Sequence, residues 1–150
     1  MTTLLDQQGD VRLQQTLDGG DITLEQGLVV MSGGLETAAY LSLFGGNRDD
    51  PGGADETFSW WGNLIERVPE KRYRSEVQAV LRGLPATTGN LLRVENAARR
   101  DLAWMVRAGA AEAVGVLVLM PAPRRVQIDL EISATAGNLS LRYLENWGAA

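Results

Sequence analysis

The chain has 150 residues, 45% hydrophobic and 22% charged, with a net charge of −5, no cysteine and no histidine. That length and composition fit one ordinary globular domain. The missing residue types exclude disulfides, thiol nucleophiles, thiolate zinc sites and imidazole bases, leaving carboxylates, hydroxyls, arginines and Lys71 for any chemistry.

The first strands are expected in "VRLQQTL", where Val11, Leu13, Gln15 and Leu17 alternate before the turn signal "DGGD", and in "ITLEQGLVV", which turns at Gln26–Gly27. "SGGLETAAYLSLF" reads as the first helix, with Ser32 as candidate cap and Gly45–Gly46 as its end. The stretch from Asn47 to Thr57 combines Gly52, Gly53 and Pro51 with four acids, the composition of an exposed, mobile loop. It leads into "ETFSWWGNLIE", which holds two of the four tryptophans.

A second helix is expected from Glu70 to Arg82, with Val77, Val80, Leu81 and Leu84 as its apolar stripe. After "PATTGN", "LLRVENAARRDLAWMVRAG" carries Leu91, Val94, Ala98, Leu102 and Met105 at steps of three and four, and Gly109 is its natural stop. "AVGVLVLM" is apolar throughout, the pattern of a strand covered on both faces. "RRVQIDLEISA" sets Val126, Ile128, Leu130 and Ile132 against Gln127, Asp129 and Glu131, and "LSLRYLENW" sets Leu139, Leu141 and Tyr143 against Ser140 and Arg142. The expected fold is α+β: short N-terminal strands, three helices and a C-terminal three-stranded antiparallel sheet packed under the helices. It forms one domain over 1–150, divided into a β region at 1–31, a helical region at 32–109 with the loop at 45–57, and the sheet at 110–147.

Charge is segregated along the chain. Residues 1–66 hold eleven acids against two bases, residues 67–107 nine bases against four acids, and the remainder is nearly balanced. Either internal pairing, complementary contacts between copies or partners, or two solvated faces would account for this. Thirteen of the fourteen bases are arginine, the cation whose planar fork suits interfaces.

Most candidate chemistries meet a simpler reading. Asp49, Asp50, Asp55 and Glu56 lack the ligand spacing of a calcium loop. A glycosidase would need an acid pair such as Glu36 and Glu66, with Trp60 or Trp61 stacking a sugar, yet Glu36 is explained by the helix dipole. "SGGLET" has no lysine at phosphate-loop spacing. Arg72, Arg74, Arg82, Arg93, Arg99, Arg100 and Arg107 make a basic set, but a pI near 4.7 and the lack of interleaved aromatics oppose nucleic acid. Trp104 reads as core, while Trp147 would cap the sheet or dock on a neighbour. No cofactor and no metal are expected, and no nucleic acid or membrane as partner. No run approaches the roughly 18 apolar residues that cross a bilayer, and "MTTLLDQQGD" lacks the regions of a secretory signal, so the chain is expected to stay in the cytoplasm.

The stretch "GLETAAYLSLFGGNRDDPGGADETFSWWGNLIE" resembles the small baseplate wedge proteins of Mu-like contractile-tailed phages: a "LETA…SLF" helix, a variable loop rich in acids and glycine, then "WWG". The likeness runs from about residue 19 to 146 and is most specific at Leu35–Phe44 and Trp60–Gly62. That family is similar to the sheath-initiator wedge proteins of other contractile tails. The resemblance implies a late-made virion protein in the tail baseplate that clamps larger wedge proteins around the tail tube and starts polymerisation of the tail sheath protein. Spike or hub proteins are further implied neighbours. Sheath initiators offer a sheet edge to extended sheath arms, which is strand augmentation. One departure is clear: Glu112-Ala113-Val114 stands where those relatives carry Glu-Pro-Arg. Some relatives have been labelled lysozyme-like, which makes a peptidoglycan-degrading glycosidase the alternative reading.

The expected role is therefore structural and non-enzymatic. The candidate contact residues are Trp60, Trp61 and Gly62, which follow the acidic loop, and Leu139, Leu141, Arg142, Tyr143 and Trp147 in and after the last strand. In an extended segment neighbouring side chains face opposite ways, so one of Trp60 and Trp61 fills the core while the other reaches outward. The sequence assigns no order to the two rings.

Overall fold

The computed structural model describes residues 10–11, 13–16, 19–22, 24–29, 31–32, 34–46, 68, 71–135 and 137–148. The chain divides into two compact units, Met1–Tyr40 and Leu41–Ala150. The tryptophan pair, Gly62, the segment 47–57 and Glu66 all lie outside the described residues.

In the first unit the backbone forms three short antiparallel pairs. β1 (Asp10–Val11) pairs β6 (Met31–Ser32), β2 (Leu13–Thr16) pairs β3 (Gly19–Ile22), and β4 (Leu24–Glu25) pairs β5 (Leu28–Val29). Gln26 and Gly27 both take positive φ, 51° and 78°, as a two-residue turn whose twist matches its strands requires. Ser32 belongs to β6 and stands two residues short of the cap position, so it does not start the helix. α1 (Leu35–Phe44) begins instead after Gly34, whose φ of 90° only glycine adopts cheaply.

The second unit is a helical layer on a meander. α2 (Glu76–Gly83) is followed by a 3-10 turn at Thr88–Asn90 and by α3 (Leu91–Arg107), which ends before Gly109 at φ 76°. β7 (Ala113–Ala122), β8 (Arg125–Ala134) and β9 (Gly137–Asn146) form one antiparallel sheet in that order. The register runs Leu117↔Asp129↔Arg142 and Val118↔Ile128↔Tyr143 across the three strands. A register shift between Leu119 and Ala122 accommodates Pro121, which has no N–H for a regular ladder. The α+β class, the three helices and the C-terminal three-stranded antiparallel sheet therefore stand as the sequence predicts.

α3 packs on β7 and α2 packs on α3. Val126, Ile128, Leu130 and Ile132 of β8 are wholly buried, as are Val94, Ala97, Ala98 and Met105 of α3 and Val77 of α2. These positions repeat with period two on the strand and about three and a half on the helices, which is why they share one interior.

Two predicted features differ. α2 starts at Glu76 rather than Glu70, because Ser75 holds a left-handed backbone (φ 50°, ψ 59°) that breaks any helix running through it. Its hydroxyl is buried, accepts from the Gly46 N–H at 2.7 Å, and lies 3.0 Å and 3.3 Å from the Ser42 and Leu41 carbonyls near the end of α1. β7 is apolar on both faces but covered on one: Leu117 and Leu119 stay 52% and 44% exposed on the outer side. α3 packs on the inner face, and Leu117 and Leu119 point away from it.

Candidate functional site

Two surfaces of the second unit carry the candidate residues. The first is the sheet. Leu139 and Leu141 are half-buried on the inner face, and Tyr143 is buried there with its ring edge-on to Phe44 (centroids 5.6 Å apart, 77° between planes). Arg142 lies on the outer face, where its guanidinium donates to both oxygens of Asp129 at 2.8 and 3.2 Å. This fork holds the Asp129 carboxyl below the ordinary carboxylate range. Gln127 also donates to Asp129 within β8, while Ser140 of β9 donates to Glu131, so this bond and the Arg142 fork tie β8 to β9 on the outer face. Leu144, across Gln127 from Leu119, is exposed on that face.

Trp147 is fully buried. Its indole N–H donates to the Leu84 carbonyl at 2.9 Å, and its backbone N–H donates to Arg124. Its ring presents no surface to solvent. Tyr143, too, contributes packing rather than an exposed contact. Leu139, Leu141 and Arg142 belong to β9 and are brought onto one edge strand of the described sheet; Trp60, Trp61 and Gly62 lie outside the described residues.

The second surface is a cavity of about 350 Å³ between the segment entering α2 and the flank of α3. Lys71, Arg72, Arg74, Arg100 and Arg107 stand around it with Glu76 and Asp101. Asp101 accepts the N–H groups of Glu76 and Val77 at 2.8 and 3.0 Å, capping α2 from a neighbouring helix. Burial pushes its carboxyl up to about 7, against the pull of those two backbone bonds. Glu76 pairs with Arg100. The wall holds Tyr73 edge-on to Trp104, whose indole N–H donates to the buried Ser42 hydroxyl at 2.8 Å.

Sequence reasoning places the arginines in a basic block but not around a cavity, since Lys71, Arg72 and Arg74 precede α2 instead of riding on it. Asp101, off the apolar line of α3, gives no sequence signal of capping another helix. Among the described residues no group of three or more acids stands close enough to hold a metal ion, and no helix is long and apolar enough to cross a membrane. No protein-family model, curated protein or solved structure matches the chain.

Proposed function

We propose that this chain is a structural component of a contractile-tail baseplate wedge, which clamps larger wedge subunits around the tail tube and nucleates the sheath by strand augmentation. The observation that carries the reading is the meander. β9 is a ten-residue outer strand of the described sheet, paired to β8 along its whole length. α3 packs on β7, at the opposite edge of the sheet, and Phe44 of α1 meets Tyr143 on the inner face of β9, so neither contact runs along the outer edge of β9. An outer strand presents alternate N–H and C=O groups as a template, so an incoming extended arm gains backbone bonds largely independent of its sequence. The sheath segment as the incoming arm is what the resemblance at Leu35–Phe44 and Trp60–Gly62 implies. The absence of histidine and cysteine favours action through contacts over catalysis.

Proline substitution tests this directly. Neighbouring residues on a strand point their N–H groups to opposite sides, so of Leu141→Pro and Arg142→Pro one removes a backbone bond to β8 and the other the outward donor. Arg142→Ala, which removes the fork to Asp129 and keeps the N–H, is the control for the side chain. The variant that keeps its fold is expected to enter baseplates and fail to start sheath growth. Normal sheath assembly by that folded variant would remove augmentation at β9 as the mechanism. Cleavage of peptidoglycan by the purified chain would replace the reading with a glycosidase.

A further inference from the structure

We infer that the cavity between the segment 71–76 and α3 is a binding site for an acidic peptide segment of a partner protein. The inference does not depend on the baseplate reading. Five cations surround this concavity on a chain whose net charge is −5. Both carboxylates in the wall are already engaged: Glu76 holds Arg100, and the two oxygens of Asp101 hold the first N–H groups of α2. Among the described residues Lys71, Arg74 and Arg107 form no ion pair, and all three are exposed. Like charges gathered without counter-ions repel one another, and an incoming anion relieves that cost.

The volume and walls select the class of anion. About 350 Å³ holds a few carboxylate side chains, near the lower end of ligand-pocket sizes. Arginine forks match carboxylates in paired geometry. A nucleic acid would want aromatic faces laid open for stacking and cations spread along a track. Here the Trp104 indole is tied to Ser42 and meets Tyr73 edge-on, and the cations ring a half-open concavity instead of lining a track. A segment with two or more closely spaced Asp or Glu residues fits best.

The test uses the full chain and fluorescein-labelled hexaglutamate, with hexaglutamine and a short DNA duplex as the other probes, read by anisotropy at low and physiological salt. Hexaglutamate is expected to bind, more weakly as salt rises, and hexaglutamine is not. The double variant Arg74→Ser, Arg107→Ser should weaken binding by roughly tenfold or more. Arg93→Ser, on an exposed position of α3 outside the cavity, should leave it unchanged. Neither substitution touches an ion pair or the core, so unaltered circular dichroism is expected throughout. Failure to bind hexaglutamate, or equal weakening by Arg93→Ser, would overturn the site. Tighter binding of the duplex, lost in the same double variant, would overturn the acidic-peptide assignment in favour of nucleic acid.

Discussion

Replacing Ser75 by alanine removes the hydroxyl that joins the end of α1 to the start of α2. In the parent the Gly46 N–H is buried and its bond to Ser75 Oγ is 2.7 Å long. Without that acceptor the N–H is left buried and unpaired, costing about 1–3 kcal/mol, and the bond donated towards the Ser42 carbonyl adds about 1 kcal/mol. Ser75→Ala should therefore lose roughly 2–4 kcal/mol. Ser75→Gly removes the same bonds but relieves a left-handed Cβ, worth about 1–2 kcal/mol, against about 0.5–1 kcal/mol of added backbone entropy. Glycine should then be the milder change by roughly 0.5–1 kcal/mol. Urea unfolding followed by fluorescence and circular dichroism measures both, and with a slope near 2 kcal/mol per molar the alanine midpoint falls by about 1–2 M. An alanine variant within about 0.5 kcal/mol of the parent, or a glycine variant less stable than alanine, would refute the account.

Gly46→Ala should be more severe, because a Cβ there would overlap the backbone carbonyl of Tyr73; loss of cooperative unfolding or of soluble expression is expected, and a parent-like midpoint would contradict the packing. Trp147→Ala should cost about 3–5 kcal/mol and Trp147→Phe distinctly less, the residual reporting the unpaired Leu84 carbonyl in the same urea assay. Asp101 makes stability depend on pH. Its folded pKa, about 7, lies above the unfolded 3.8, so its contribution is full below 3.8 and is lost as pH rises through 7. Asp101→Asn should flatten that decline, of roughly a few kcal/mol, in melting curves taken across the window. Asp129, whose carboxyl is held low by Arg142, acts with the opposite sign and loses its contribution as pH falls.

The sheet is legible in the sequence wherever alternation reports burial directly. Val126 to Ile132 and Leu139 to Tyr143 give their inner faces at sight, and Gly109 marks the end of α3. The apolar run in β7 misleads for a physical reason: hydrophobicity on two faces states a preference for cover without saying that this chain supplies it. The start of α2 is hidden because "PEKRY" has good helix formers, while the residue that overrides them, Ser75, acts through Gly46 and Ser42, about thirty positions away. The basic cavity is half legible. Its charge stands out as a block, yet its shape depends on a non-helical approach to α2 and on a cap lent by Asp101.

Long-range closure at one end and local pairing at the other also set an order of events. β7, β8 and β9 are joined by turns of two residues between the last paired positions, so their pairing closes loops of minimal entropy. The bond between Ser42 and Trp104 spans 62 residues, and that between Leu84 and Trp147 spans 63. On refolding, the meander with α3 is expected to form the nucleus, with the α1 end docking after the rate-limiting step. Weakening contacts within the meander should then slow folding, whereas cutting the Ser75 bridge should mainly hasten unfolding. The lifetime of the native state, rather than the speed of reaching it, would be what that single buried hydroxyl controls.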